Sequence, residues 1–228
     1  MLPRKRLIAL RREGVPEKRI FLTGNPVIDA LMMIVTKPVP FHAQQLIHAA
    51  GLNDDKSNNR KLILVTAHRR ENFGPRFESF CRGLKSLIER NLEVFIIYPV
   101  HLNPHVQEPV HRILGNKERV LLTHPVEYDV IVHLMNASYL ILTDSGGIQE
   151  EAPSLGKPVL VMRTETERPE GIEAGTARLV GPFEDKIIEE TERLLRDKVA
   201  YQQMAKAINP YGDGHAAERI VDIIGRDA

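Results

Sequence analysis

The chain has 228 residues, of which 43% are hydrophobic and 27% are charged, a balance typical of a globular protein with a substantial core. Its formal net charge of +1 comes from 31 basic and 30 acidic residues, so there is no basic field to attract nucleic acid and we expect no such partner. The single cysteine, Cys81, excludes an internal disulfide, and the sequence has neither an apolar run of membrane-spanning length nor a signal peptide, so we expect no membrane span and a cytoplasmic location.

The first sixty residues follow no regular alternation of strands and helices. Residues 4–14 predict a helix that ends at a glycine, residues 21–26 a short strand leading to a turn, and residues 27–35 an apolar helix. Residues 53–60 are polar and predict a loop. This loop is the best candidate for a domain boundary.

From residue 61 onward, short β-branched runs alternate with longer amphipathic stretches. Strands are predicted at residues 61–66, 93–99, 119–123, 139–144, 158–162 and 177–181. Helices are predicted between them at residues 76–90, 104–114, 128–136 and 147–155, and after them at residues 183–196, 199–207 and 215–225. Strands separated by helices indicate an α/β fold, a Rossmann-like parallel sheet flanked by helices.

A Gly-rich turn follows the fourth predicted strand and opens a helix. The strand ends at Asp144, the turn contains Ser145, Gly146 and Gly147, and Glu151 follows in the first turns of the helix. Such a turn presents backbone N–H groups and the positive end of the helix dipole to a phosphate, and a carboxylate one turn later suits a ribose diol. The turn alone is equally compatible with an ordinary strand-to-helix connection in which glycines allow tight packing.

Polar residues also follow the other strands. In an open parallel sheet, the carboxyl ends of the strands meet at one edge, where ligands bind. The candidates at that edge are His68, Arg69, Arg70 and Glu71 after the first strand, His101 after the second, His124 after the third, and Glu167 and Arg168 after the fifth. Their convergence favours a binding site over a random distribution of polar loops.

Each of these residues also has a purely structural interpretation. Arg69 and Arg70 are compatible with a solvated pair balanced by Glu71, or with phosphate binding. The neighbours Glu167 and Arg168 are compatible with a surface salt bridge, or with an arginine that reaches a diphosphate. We interpret His42, His48, His105, His111, His124, His133 and His215 as structural, and because the nine histidines show no metal-ligand spacing, we expect no metal.

Several longer motifs resemble the non-hydrolysing UDP-N-acetylglucosamine (UDP-GlcNAc) 2-epimerases. They are TAHRRENFG at 66–74, PVHLNP at 99–104, LTDSGGIQEEAPSLGKP at 142–158 and TERPE at 166–170, extended by TGNPVIDAL at 23–31, AGT at 174–176 and NPYGDG at 209–214. The resemblance covers essentially the whole chain. It implies the C-terminal half of a GT-B architecture, in which two Rossmann-like domains face each other across a cleft.

The resemblance also implies a reaction, a role in polysaccharide biosynthesis and a set of site residues. UDP-GlcNAc and UDP-ManNAc would interconvert through loss of the C2 proton, elimination of UDP to a glycal and re-addition, without NAD or a metal. Four residues would bind the diphosphate, Glu151 would bind the ribose, and His68 would assist the departure of UDP. The diphosphate residues are Ser145, Gly146, Gly147 and Arg168. Arg69 and His101 would contact a second, activating substrate molecule.

Two departures from the family pattern matter. The chain resembles only the C-terminal portion of a family member, so the acidic residues proposed for proton transfer at C2 have no counterpart here. Residues 1–58 would be the end of the first domain and the crossover, 59–208 the UDP-binding domain, and 209–228 a C-terminal crossover helix. In addition, Ile131 stands where many relatives place an aromatic ring near uracil.

The sequence therefore leaves several functions open. The first is an epimerase that is a homodimer in its full-length form, or whose missing half is supplied by another chain. The second is a catalytically impaired nucleotide-sugar-binding module that needs a partner half. A GT-B glycosyltransferase and a hydrolysing epimerase are further alternatives, although the HRREN and TERPE motifs argue against the glycosyltransferase.

Overall fold

The computed structural model describes residues 4–52 and 59–227. Its six strands are β1 (Lys61–Thr66), β2 (Val94–Pro99), β3 (Val120–Thr123), β4 (Leu140–Thr143), β5 (Val159–Val161) and β6 (Ala177–Leu179). All pair in parallel, in the order β3-β2-β1-β4-β5-β6. The predicted α/β class and all six predicted strands are confirmed, with bounds that differ by at most two residues.

Eleven α-helices accompany the sheet within the described residues. They are α1 (Arg4–Arg12), α2 (Pro26–Val35), α3 (Phe41–Ala49), α4 (Pro75–Arg90), α5 (Pro104–Leu114), α6 (Tyr128–Ala137), α7 (Gly146–Glu151), α8 (Pro169–Glu173), α9 (Glu184–Arg196), α10 (Lys198–Ala205) and α11 (Ala216–Asp227). Short 3₁₀ turns lie at Glu17–Arg19, Arg70–Asn72 and Ala152–Leu155. None of the helices is long and apolar enough to cross a membrane, as far as the described ranges go.

Helices cover both faces of the sheet and form two hydrophobic cores. One core joins the sheet to α4, α5, α9 and α10, with Phe77, Phe80 and Tyr98 among its largest fully buried side chains. The other joins the opposite face to α2, α3, α6 and α7, and includes Leu31 and Leu134. Because β1 and β4 are covered on both sides, their residues are almost all buried, which explains their continuous apolar runs.

Two features of the N-terminal region differ from the sequence prediction. Residues 21–25 form no strand, so this prediction is wrong. The Asn25 side chain instead caps α2, and the Asn25 backbone N–H donates to the Tyr211 carbonyl at 2.9 Å. Phe21 and Leu22 are more than half exposed. The sequence also gave no signal for α3, which buries only Ala43 and Leu46. The predicted boundary loop falls largely on residues outside the described ranges, and the three-part domain division stays a prediction.

The N-terminal segment and the C-terminal helix hold each other in place. The Asp29 carboxylate accepts hydrogen bonds from the N–H groups of Ala216 (3.2 Å) and Ala217 (2.8 Å), the first residues of α11. A carboxylate at this end of a helix satisfies free donors and complements the helix dipole. Helix α11 therefore packs against α2, the helix that carries Asp29.

Candidate functional site

The strand order reverses between β1 and β4, and the carboxyl ends of these two strands open into a cleft. In sheets of this type, the loops after such a pair diverge to opposite sides and leave a crevice. The cleft has a volume of about 210 Å³. It is lined by Thr66, Ala67, His68, Pro99, His101, Pro125, Val126, Ile131, Ser145 and Ile148.

Asp144 fixes the loop after β1 against the end of β4. Its carboxylate is fully buried and accepts hydrogen bonds from the backbone N–H groups of His68 (2.9 Å) and Arg69 (2.8 Å). Burial raises the pKa of Asp144, and the hydrogen bonds to Arg69 and His68 oppose that shift. The sequence marked Asp144 only as the end of a strand, whereas the structure shows that it positions two predicted site residues.

His68 and His101 come together at the mouth of the cleft. Their rings stack with centroids 5.5 Å apart and an interplanar angle of 17°. His101 is held by its Nδ1 atom, which accepts from the N–H of Asn103 at 3.1 Å, and the His68 Nδ1 atom lies 3.5 Å from the Asp144 carboxylate. The structure therefore brings two of the predicted site residues together in the lining of one cleft.

The Gly-rich turn has the free donors that the sequence predicted. The Ser145 N–H donates to the Thr143 hydroxyl at 2.9 Å, but the Ser145 side chain makes no capping hydrogen bond to α7 in the described structure. The N–H groups of Gly146 and Gly147, in the first turn of α7, are therefore not capped by the Ser145 side chain. A ligand oxygen can satisfy them.

Two arginines from different loops converge on Gly146. A carbon atom placed at its Cβ position would lie 3.7 Å from the Cζ and Nη2 atoms of Arg168 and 3.8 Å from the Nη2 atom of Arg69. The buried Nε of Arg69 has no hydrogen-bond partner among the described residues. Arg70 is exposed, and of the two neighbouring arginines it is Arg69 that has an atom among the nearest to this position. Two guanidinium groups around a Gly-rich turn form an anion site.

Arg168 is oriented by a buried carboxylate, and its partner is not its sequence neighbour. Its Nε donates to Glu150, whose second oxygen accepts from the side-chain amide of Asn25. Glu167 instead pairs with Arg163. Arg168 therefore makes no ion pair with Glu167, and its Nη2 atom stays beside Gly146. Nothing in the sequence indicated that Asn25, over a hundred residues away, takes part.

Glu151 lies behind the turn with one oxygen already engaged. The Tyr128 hydroxyl donates to its Oε2 at 2.7 Å, and its Oε1 lies 3.5 Å from where a Cβ on Gly147 would stand. Burial raises the pKa of Glu151, while the hydrogen bond from Tyr128 opposes the shift. Tyr128 thus engages one of the two Glu151 carboxylate oxygens, and the predicted role of Glu151 in ribose binding stays a prediction.

Two of the histidines outside the cleft pack within the fold. His105 stacks on Phe73 with ring centroids 5.3 Å apart, and His133 is buried in α6. Across the described ranges, no group of three or more His, Cys, Asp or Glu side chains has the arrangement of a metal site.

The strand order and the position of the cleft are those of doubly wound α/β proteins, in which ligands bind at the topological switch point. Residues 4–225 match the family model described as UDP-N-acetylglucosamine 2-epimerase. The chain is 52% identical over 218 residues to the UDP-N-acetylglucosamine 2-epimerase of Escherichia coli K12 and 49% identical over 217 residues to that of Campylobacter jejuni. It belongs to the UDP-N-acetylglucosamine 2-epimerase family, whose non-hydrolysing members are isomerases.

Solved structures of relatives agree with this assignment. The Neisseria meningitidis UDP-GlcNAc 2-epimerase bound to UDP-GlcNAc superposes with a TM-score of 0.86 at 43% identity, covering 95% of this chain and 58% of that one. The Methanocaldococcus jannaschii enzyme in complex with UDP-GlcNAc and UDP gives 0.75 at 30% identity, covering 96% and 58%. A glycosyltransferase involved in lipopolysaccharide biosynthesis shares the fold alone, at 18% identity and a TM-score of 0.55.

The match to the Escherichia coli relative includes 94% of this chain but only 57% of the relative's length. It corresponds to a C-terminal portion of these proteins, and its sheet is the C-terminal half of a GT-B architecture. The predicted family and fold class are therefore confirmed.

Proposed function

We propose that this chain is the UDP-binding half of a UDP-GlcNAc 2-epimerase. In this proposal Ser145, Gly146, Gly147 and Arg168 bind the diphosphate, and Glu151 binds the ribose. The observation that carries the proposal is the convergence of two guanidinium groups on a Gly-rich turn whose N–H groups have no side-chain cap. A diphosphate needs several charge-assisted donors at one place, and this turn provides them.

The rest of the cleft suits the remaining parts of a nucleotide. Pro125, Val126, Ile131 and Ile148 form an apolar wall against which a uracil ring can pack. Ile131 offers contact area without the ring stacking that an aromatic residue would give. The carboxylate oxygen of Glu151 that Tyr128 leaves free is an acceptor for a ribose hydroxyl.

The histidines belong to the sugar end of the proposed ligand. His68 lines the same cleft as Ser145, so in this proposal its imidazole would stand near the bond between the sugar and the diphosphate and assist the departure of UDP. Arg69, beside Gly146, would also contact the diphosphate, and with His101 it remains the predicted contact of a second substrate molecule. The proposed ligands are UDP-GlcNAc and UDP-ManNAc, with no NAD and no metal.

Proton transfer at C2 is the step for which the cleft offers least. Among the described residues that line it, the titratable side chains are His68 and His101, and none is a carboxylate. Acid–base catalysis needs a positioned group within reach of the proton, and effective catalysis needs groups from both sides of the substrate. We therefore propose that the isolated chain binds UDP but turns UDP-GlcNAc over slowly or not at all.

The test combines a titration with an exchange experiment. UDP and uridine are titrated into the purified chain by calorimetry, and UDP-GlcNAc is then followed by proton NMR in D₂O. We expect binding that prefers UDP to uridine, without loss of the C2 proton signal. Absence of any preference for UDP would refute the proposed site, and C2 exchange with new ManNAc resonances would refute the proposed lack of a base.

The lack of a carboxylate among the described residues that line the cleft also favours a second function, a nucleotide-sugar-binding module that acts through a partner. The two functions are separated by adding the N-terminal portion of the Escherichia coli relative as a separate polypeptide. Restored C2 exchange supports the epimerase half. Binding of UDP without restored exchange, when the two polypeptides demonstrably associate, supports the binding module.

A further inference from the structure

Arg163 binds two carboxylates at once. It follows β5, and its side chain is only 8% exposed. Its guanidinium donates to Glu71 at 2.6 and 3.4 Å and to Glu167 at 2.8 and 3.2 Å. The two carboxylates come from different loops and are far more exposed, at 46% and 55%.

Both carboxylates are close in sequence to the arginines that surround Gly146. Glu71 follows Arg69 by two residues, and Glu167 immediately precedes Arg168. The hydrogen bond from Arg163 holds the pKa of Glu167 below its ordinary value, and the positive charge of Arg69 contributes a smaller part in the same direction. Glu167 is therefore already within electrostatic reach of an anion-binding arginine.

We propose that Arg163 is a positioning residue that binds Glu71 and Glu167 and so keeps both carboxylates from neutralising Arg69 and Arg168. This inference rests on the proposed function, in which those arginines bind a diphosphate. A released carboxylate forms the same charge-assisted hydrogen bonds to guanidinium as a phosphate does. It would therefore compete with the ligand from a position fixed in the chain.

A second connection between the same loops makes this role separable from folding. The buried side-chain amide of Asn72 donates to the Met162 carbonyl at 3.1 Å and to the Asp144 carboxylate at 3.4 Å. It joins the loop after β1 to the end of β5 without Arg163. Loss of Arg163 should therefore release the carboxylates while the loops stay attached.

The test compares UDP with uridine, because only UDP reports on the arginines. In Arg163→Met, which keeps an unbranched side chain of similar length, we expect the ratio of UDP to uridine affinity to fall about tenfold, or about 1.4 kcal/mol. Uridine affinity should stay unchanged. The matched control is Arg112→Met, since Arg112 also binds two carboxylates, Glu108 and Glu78, each at 2.6 Å. These carboxylates lie on α5 and α4 and not in the loops that carry Arg69 and Arg168.

A rescue experiment distinguishes this role from a purely structural one. Adding Glu71→Gln and Glu167→Gln to Arg163→Met removes the competing charges, so the affinity ratio should return to within about threefold of the parent chain. If Arg163→Met does not fold, Arg163→Lys and its rescue by the same two substitutions test the same point, because a lysine cannot hold both carboxylates in bidentate geometry.

An unchanged ratio in the folded variant, or a ratio that the two Gln substitutions do not restore, would overturn the inference while leaving the proposed function standing. A parent chain that shows no preference for UDP over uridine would instead overturn the proposed function, and the role of Arg163 with it.

Discussion

Replacing Gly146 with alanine adds one carbon atom at the centre of the proposed anion site. That carbon would lie 3.7 Å from the Arg168 guanidinium and 3.8 Å from that of Arg69, which is ordinary van der Waals contact. The backbone of Gly146 is not in the left-handed region, so alanine fits without strain. We expect the free energy of unfolding to stay the same or rise by up to about 1 kcal/mol, since alanine is the better helix former.

Ligand binding should respond in the opposite direction. A phosphate oxygen needs to approach a guanidinium nitrogen to about 2.7–2.9 Å, and the new methyl group occupies the space between the two arginines. Each hydrogen bond lost to a charged group costs about 1.5–3 kcal/mol. We therefore expect the Kd for UDP to rise by about 10- to 150-fold, with uridine affinity unchanged.

The assay is calorimetric titration with UDP and uridine, paired with urea unfolding of the same samples. Gly225→Ala in α11 is the matched control, because its new carbon would meet nothing within 4 Å and UDP affinity should not change. A Gly146→Ala chain that is folded and binds UDP as tightly as its parent would refute the placement of the diphosphate at this turn.

Three further predictions concern stability and association. Asp144→Asn replaces a fully buried acceptor of several N–H groups and should lower the free energy of unfolding by about 1–3 kcal/mol; an unchanged urea midpoint would contradict this. Because burial raises the pKa of Glu151, its contribution to stability is present below about pH 4.3 and is lost as pH rises through the raised pKa. In urea unfolding at a series of pH values, the free energy of unfolding of Glu151→Gln should therefore fall less steeply with rising pH over this range than that of the parent chain. Equal slopes would contradict the prediction. Two apolar side chains of α11 are exposed, Val221 at 68% and Ile224 at 64%, and should promote self-association. Replacing both with serine should raise the monomer fraction in sedimentation velocity. A parent chain that is already monomeric at high concentration would contradict this prediction.

The sheet was predictable because its strands carry the strongest signal a sequence offers. Strands buried on both faces are continuous apolar runs, and β1 and β4 show this pattern. Helix α3 was not predictable from the same logic. It has glutamine and histidine on most of its surface and buries only Ala43 and Leu46, so its apolar period is too weak to stand out. Residues 21–25 look like a strand but have no neighbouring strand with which to pair.

The candidate site, like the fold, was predictable from the sequence only in part. Which loops meet follows from the rule that ligands bind beyond the carboxyl ends of parallel strands, so the meeting of His68 with His101 was predictable. Which charged side chains form ion pairs was not predictable, because the partners of long side chains depend on the tertiary structure. Glu71 pairs with Arg163, 92 positions away, rather than with the adjacent arginines.

The Glu150 carboxylate connects Arg168 to the segment before α2. One of its oxygens accepts from Arg168 and the other from Asn25, so if a ligand binds Arg168 as proposed, we expect the hydrogen bond that anchors this segment to change with it. Thermodynamic reciprocity then requires the strength of that anchor to alter ligand affinity by the same free energy. The backbone N–H of Asn25, which donates to Tyr211 at 2.9 Å, reports this linkage through its rate of hydrogen exchange.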